Sequence, residues 1–314
     1  MGVSKRNNFL LVLIVFVTLL ILVTLTLIGM MIINEKTIVV PDEVENINDA
    51  VGMADPGDII LVKDKGAPYE ENVTISTKAI KLIGVGKDQP TLDGANVLGD
   101  GIIIENTTGV RVNNFKIQNY AIGVRLDSSD KNIIKENIIN DNSLEGIFLN
   151  SSDKNRIDGN TVNDNMRHGY ISSDSNSNII VGNYIRGNIL DEGIHVIRSF
   201  RSIIKKNTVN SNGSVGIEID SSNFNKVIRN DVNNNTVNGI FINESNFSRV
   251  NRNFVNMNTE NGILLDANSK INNIFFNQAF NNGDGNVSFD ILDEDDNHFK
   301  GNKCGTSDPL GLCH

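Results

Sequence analysis

From Gly101 onward the chain repeats one short pattern, a glycine followed by an alternating, mostly apolar triplet. The glycines are Gly101, Gly123, Gly146, Gly169, Gly193, Gly216, Gly239 and Gly262, with successive spacings of 22, 23, 23, 24, 23, 23 and 23 residues. Pairs such as Ile147 and Leu149, Ile194 and Val196, or Ile217 and Ile219 fall two apart, so they point to one side of a strand. A second short strand per repeat is predicted in stretches such as Asn132-Ile133-Ile134 and Asn178-Ile179-Ile180, and a third in Ile138-Ile139. Two asparagine columns keep the same period, one through Asn114, Asn137, Asn160, Asn183, Asn207, Asn230, Asn253 and Asn277, the other through Asn119, Asn142, Asn165, Asn188, Asn212, Asn235, Asn258 and Asn282. Units this short cannot bury an apolar face alone and hold no run long enough for a helix. The pattern predicts an all-β, right-handed single-stranded parallel β-helix of about 8–10 coils of about 23 residues, stacked about 4.8 Å apart. Asparagine suits its bends by tolerating left-handed backbone angles, and stacked amides can bond their equivalents one coil away. Gly285 continues the spacing with a poorer triplet, Asn286-Val287-Ser288, where the array is expected to fray.

Ahead of the array, apolar residues at Val44, Ile47, Val51 and Ala54 predict a short amphipathic helix that caps the open end of the core. Earlier still, residues 9–33 carry no charge and are long enough to cross a hydrocarbon core of roughly 30 Å. Lys5 and Arg6 precede this run and Glu35 and Lys36 follow it, which places the N-terminus in the cytoplasm and the repeats outside. A cleaved signal peptide is the rival reading, although no A-x-A cleavage pattern is present. The expected organisation is a cytoplasmic end at 1–8, a transmembrane helix at 9–33, an entry segment with the capping helix at 34–98, repeats at 99–300 and a tail at 301–314.

The order of helix, ADPGDIILV, YEENVTI, IKLIGVG, TLDG and then NxI…N…GIxI coils resembles the pectin-lyase-like β-helix proteins of bacteria and archaea, including NosD-type domains built from PbH1 repeats. The resemblance runs from residue 37 to about 300. It implies the fold, within a superfamily that holds polysaccharide lyases, hydrolases, epimerases and binding proteins. NosD-type proteins are associated with copper-enzyme maturation. Met166 and Met257 stand alone here, and no Met, His or Cys cluster is visible along the chain, so metal ligands are left unassigned.

Composition narrows the partners. With 38 acidic and 28 basic residues and a net charge of −10, no basic patch for nucleic acid emerges along the sequence. Cys304 and Cys313 are expected to pair in an exported domain, against the alternative of two free thiols. Asp290, Asp293, Glu294, Asp295 and Asp296 offer oxygen ligands for calcium but no recognised loop spacing, so no cofactor is assigned.

Candidate chemistry gathers beside the Gly-led strands. Glu145, His168 and Glu192 directly precede a repeat glycine, and Arg125, Phe148, His195, Glu218 and Phe241 follow two residues after one. Stacking would place Glu145, His168, Glu192, His195 and Glu218 in one patch, with Asp191 and Arg167 at its edge. As catalytic groups, a histidine would remove a C5 proton from a uronic acid in a lyase or epimerase, or two glutamates would serve a hydrolase. As binding groups, Arg125, Asp191 and the rings of Phe148 and Phe241 would meet a carbohydrate. Asn137, Asn160, Asn183, Asn207, Asn230 and Asn253 are read as structural. Three functions follow: a membrane-anchored extracytoplasmic module that binds polysaccharide or another envelope component, a carbohydrate-active enzyme, and an accessory protein for envelope assembly or metal handling. The first is preferred, because the uniform coils carry no long insertion to wall a deep groove.

Overall fold

The computed structural model describes residues 16–21, 35–283, 289–294 and 296–313. Thr37–His314 form one compact unit. Residues 16–21 are helical; the rest of the expected span at 9–33 lies outside the described residues, as do Gly285, Asn286-Val287-Ser288 and Asp295. No helix among the described residues is long and apolar enough to cross a membrane.

Three parallel sheets wind into a solenoid. Sheet A has 12 strands, sheet B 10 and sheet C 11, so the described chain makes about 11 coils, more than the expected 8–10. The difference comes from both ends. Thr37–Val40, Ile59–Lys63 and Lys81–Val85 already belong to sheet A, while Lys303–Cys304 and Ser307–Asp308 extend sheets B and C. One coil runs Ile133–Lys135 in sheet A, Ile138–Asn140 in B and Ile147–Asn150 in C. Each strand pairs with its equivalent one coil away, as Ile147 does with Val124 and Tyr170. Ile134, Ile139, Ile147 and Leu149 point inward and are fully buried. The helix Ile47–Met53 buries Ile47, Ala50 and Val51, and Asn46 caps it by accepting from the Asp49 N–H at 2.8 Å. Glu71 accepts from the backbone N–H groups of Ile47 and Asn48 at 2.8 and 2.9 Å, tying this helix to the start of the coils.

The asparagine columns are hydrogen-bond ladders. Asn183 Oδ1 accepts from Asn160 N and Nδ2 at 2.9 and 3.0 Å, while its own Nδ2 donates to Ile157 O and Asn207 Oδ1, both at 3.0 Å. Asn160, Asn207, Asn230 and Asn253 repeat this arrangement, and Asn137 begins it, accepting from the Phe115 N–H and donating to Asn160. At the far end of the second ladder Asp290 takes over: its Oδ1 accepts from Asn282 and its Oδ2 from the N–H groups of Gly305 and Thr306. Asp290 is therefore buried as a ladder terminator. A serine ladder through Ser129, Ser152, Ser175, Ser199, Ser222, Ser245 and Ser269 works in the same way.

From Asn137 onward, the left-handed bend is not at the ladder asparagine but one residue before it, at Glu136, Gly159, Gly182, Lys206, Arg229 and Arg252. The amide must point inward to join the ladder, so the turn is displaced to its neighbour, where a side chain costs roughly 1–2 kcal/mol relative to the right-handed region. The repeat glycines have a separate cause. A Cβ on Gly193 would lie 2.7 Å from Asn212 Nδ2 and 2.8 Å from the Gly216 carbonyl oxygen. Gly193→Ala is accordingly expected to lower unfolding free energy by about 1–3 kcal/mol; urea denaturation with an unchanged midpoint would contradict this. Cys304 and Cys313 form a disulfide with a Cα–Cα distance of 5.6 Å.

Candidate metal-binding site on sheet C

Coil stacking turns residues that are scattered along the sequence into two adjacent columns on sheet C. The outward column runs Arg125, Phe148, Ile171, His195, Glu218 and Phe241, each paired with the next by strand register. Beside it, ahead of the glycines, stand Glu145, His168 and Glu192. These groups are not a solvated surface: Glu145 and His168 are buried, and His195, Glu192 and Glu218 are mostly covered.

At the centre, His168 Nε2 lies 3.0 Å from Glu192 Oε2 and 3.4 Å from His195 Nδ1, and His195 Nδ1 lies 3.7 Å from the same Glu192 oxygen. Ser214 Oγ donates to the other Glu192 oxygen at 2.8 Å. On the far side of His168, Nδ1 faces Glu145 Oε1 at 3.6 Å and Asp191 Oδ2 at 3.7 Å. Arg167 spans those two carboxylates, donating from Nε to Asp191 at 2.7 Å and from a terminal nitrogen to Glu145 at 3.3 Å. His168 Nδ1 and His195 Nε2 are buried without a hydrogen-bond partner.

The electrostatics divide the two histidines. Burial opposes a charged imidazole at His168, but the carboxylates of Glu145 and Glu192 outweigh it and push its pKa up to about 9. Burial likewise works against charge on Glu192, yet His168 and the Ser214 hydroxyl draw its pKa down to about 2. His195 is lowered, chiefly by burial. Glu218 is pushed up to about 7 by burial and by the charges of Glu192 and Asp220. Without a ligand the centre is a buried His168–Glu192 ion pair beside a neutral His195.

One potential ligand atom each from His168, Glu192 and His195 lies within 4.8 Å of the others, the one such group of three among the described residues. Tetrahedral sites with bonds of about 2.0–2.1 Å have ligand–ligand edges of about 3.3–3.4 Å. The triangle of 3.0, 3.4 and 3.7 Å found here therefore needs little movement to close on one ion. Ser214 on Glu192 and the carboxylates near His168 Nδ1 supply the outer partners that orient metal ligands.

Sequence reading named all three central residues but found no histidine cluster, because His168 and His195 meet only through stacking. Ser214 escaped it entirely. A signal was present in the glycine spacing, whose one 24-residue step separates Gly169 from Gly193. The extra residue falls in Ile189-Leu190-Asp191-Glu192, where other coils have three residues between the ladder asparagine and the glycine. It is the turn that delivers Asp191 and Glu192.

The remaining candidates contribute no ligand to this centre. Arg125 is paired with Asp100 and Asp127. Phe148 and Phe241 flank the site along the column and are partly buried rather than openly exposed.

Residues 62–238, more than half of the chain, match the family described as periplasmic copper-binding protein (NosD). The chain belongs to the NosD family. Residues 185–304 of this NosD-family chain also match the right handed beta helix region. None of the curated proteins matches it. Among solved structures it is similar to the Dettilon tailspike protein, at 13% identity and a TM-score of 0.65 over 86% of the chain, and it spans 62% of that protein. A structure of the periplasmic alginate epimerase AlgG gives 16% identity and a TM-score of 0.56, covering 86% of this chain and 83% of that one. Pectate lyase Pel9A gives 11% and 0.56, covering 87% and 78%. At such identities the shared feature is the fold.

Proposed function

We propose that this NosD-family chain is a membrane-anchored, extracytoplasmic β-helix module that holds one divalent transition-metal ion through His168, Glu192 and His195. The carrying observation is the triangle of two imidazole nitrogens and one carboxylate oxygen, with edges of 3.0, 3.4 and 3.7 Å. Two imidazoles and a carboxylate can hold Zn(II), Fe(II) or Cu(II), with Cu(II) bound most tightly in the general affinity order, whereas Cu(I) favours the thiolates and thioethers that this site lacks. The family description agrees with copper. The apolar run at 9–33 and its flanking charges support anchoring with the solenoid outside. A bound ion would contribute Lewis acidity or storage; the chain itself contributes the ligands, the serine that orients Glu192 and the carboxylates behind His168.

A second reading, acid–base catalysis on a uronic acid, draws on neutral His195 next to Glu218, whose pKa near 7 lets it give or take a proton.

The test is titration of EDTA-treated full-length chain with Cu(II), followed by electron paramagnetic resonance. One equivalent bound with nitrogen couplings from two imidazoles is expected. A spectrum of hydrated copper throughout the titration would reject the metal reading, and unsaturated or epimerised products from a uronate polymer without copper would favour the catalytic one.

A further inference from the structure

Away from the site, on sheet A, coil stacking gathers a cationic surface that a linear reading of this acidic chain did not reveal. Four consecutive coils contribute a grid. One corner column runs Arg201, Phe224, Phe247 and Ile271; the strand columns run Ile203, Lys226, Arg249 and Asn273, then Lys205, Ile228, Asn251 and Phe275; the other corner runs Lys206, Arg229, Arg252 and Phe276. Arg201, Lys205, Lys206, Lys226, Arg229, Arg249 and Arg252 have no carboxylate partner among the described residues; elsewhere Arg125, Arg156, Arg167 and Arg198 are paired, while Arg111 and Arg186 are not. Asp231, on the adjoining strand, is engaged by Asn233 instead.

Aromatic rings edge this surface. Phe224 and Phe247 are stacked with centroids 5.1 Å apart, Arg201 lies over Phe224 at 5.5 Å and Arg252 over Phe276 at 5.9 Å. Phe224, Phe247 and Phe276 are 46%, 47% and 45% exposed. Two depressions follow the edges, one of about 320 Å³ between Phe224, Phe247 and Arg249, the other of about 460 Å³ between Arg229, Arg252, Phe254 and Phe276.

These side chains stand at the left-handed corners that recur in successive coils, and so project outward from the sheet. Phe224, Phe247, Arg229, Arg252 and Phe276 all hold left-handed angles, with φ of 62°, 57°, 55°, 56° and 56°. At the corner occupied by Arg229 and Arg252, other coils place Gly159 and Gly182, which adopt that conformation without strain.

We propose that this face of sheet A is a docking surface for a linear acidic polysaccharide running along the solenoid axis. Carboxylates would meet the unpaired arginines and lysines, and the apolar faces of sugar rings would lie on the phenylalanines. The coil repeat of about 4.8 Å presents these groups at intervals close to the length of one pyranose unit in an extended chain. Duplex DNA, with about one charge per 1.7 Å, is a poorer match, because the protein's net charge of −10 opposes so dense a polyanion. The proposal does not depend on the metal site.

The test uses the full-length chain in neutral detergent, with affinity electrophoresis through gels containing polygalacturonate or dextran, and sedimentation with duplex DNA or anionic phospholipid vesicles. Retardation by polygalacturonate that weakens with salt, and none by dextran, is expected. Arg229→Gly/Arg252→Gly should keep the thermal midpoint or raise it while weakening retardation about tenfold, equivalent to about 1.4 kcal/mol. Phe224→Gly/Phe247→Gly should do the same. Equal retardation of the glycine variants, absence of retardation of the parent, or tighter binding to vesicles or DNA would each overturn the proposal.

Discussion

His195→Ala lowers the affinity of the metal-free chain for Cu(II) by more than about 100-fold, since loss of an outer-shell partner alone typically costs about 10–100-fold. This is the cleaner ligand variant. His195 is neutral, so its removal strands no charge, whereas His168→Ala would leave Glu192 largely buried without its counter-ion and Glu145 with Arg167 alone. The same site fixes the sign of the pH dependence. His168 titrates at about 9 in the free protein and must lose its proton to act as a ligand, so apparent affinity rises with pH and falls about tenfold for each unit below that value. Ser214→Ala, which leaves Glu192 free to turn, lowers affinity by about 10–100-fold. Isothermal titration at several pH values measures all three. An affinity unchanged by His195→Ala, or independent of pH below neutrality, would remove the centre from consideration.

A second large effect concerns the scaffold. Asn183→Ala removes an acceptor from Asn160 N and Nδ2 and a donor from Ile157 O and Asn207 Oδ1, all inside the solenoid. Each stranded buried group costs about 1–3 kcal/mol, and partial compensation by the remaining bonds puts the sum at about 3–5 kcal/mol. Asn163→Ala, on the outer side of sheet B, should change stability by less than about 0.5 kcal/mol. Equilibrium unfolding of the two variants distinguishes them; equal losses would mean that the inner ladder adds nothing beyond the strands.

The glycine and asparagine columns made the coil legible because each answers a constraint repeated in every turn. Glycine avoids the amide and carbonyl of the neighbouring coil, and asparagine satisfies its neighbour's backbone. The serine column at Ser129, Ser152 and Ser175 was equally periodic, but serine is common enough in loops to pass unnoticed. Displacement of the left-handed bend onto Arg229 or Arg252 could not be read, since those residues are chosen against backbone preference. The site was half visible: Glu145, His168, Glu192 and His195 stood out as ionisable groups beside apolar strands, while the distances that separate a metal centre from a solvated face exist only once the coils stack. The cationic face was obscured by the net acidity of the chain, since most of its members lie about one coil apart and meet only on stacking.

The ladders also constrain how such a chain can change over generations. Adding or deleting one whole turn leaves every amide with an equivalent partner, whereas a shift inside the laddered part of a turn would mismatch its contacts on both sides. Length should therefore vary among descendants in whole-turn steps. Single-residue changes should collect between the ladder asparagine and the repeat glycine, the interval that Ile189-Leu190-Asp191-Glu192 already lengthens by one. That interval is where novelty can enter without disturbing inheritance of the rest.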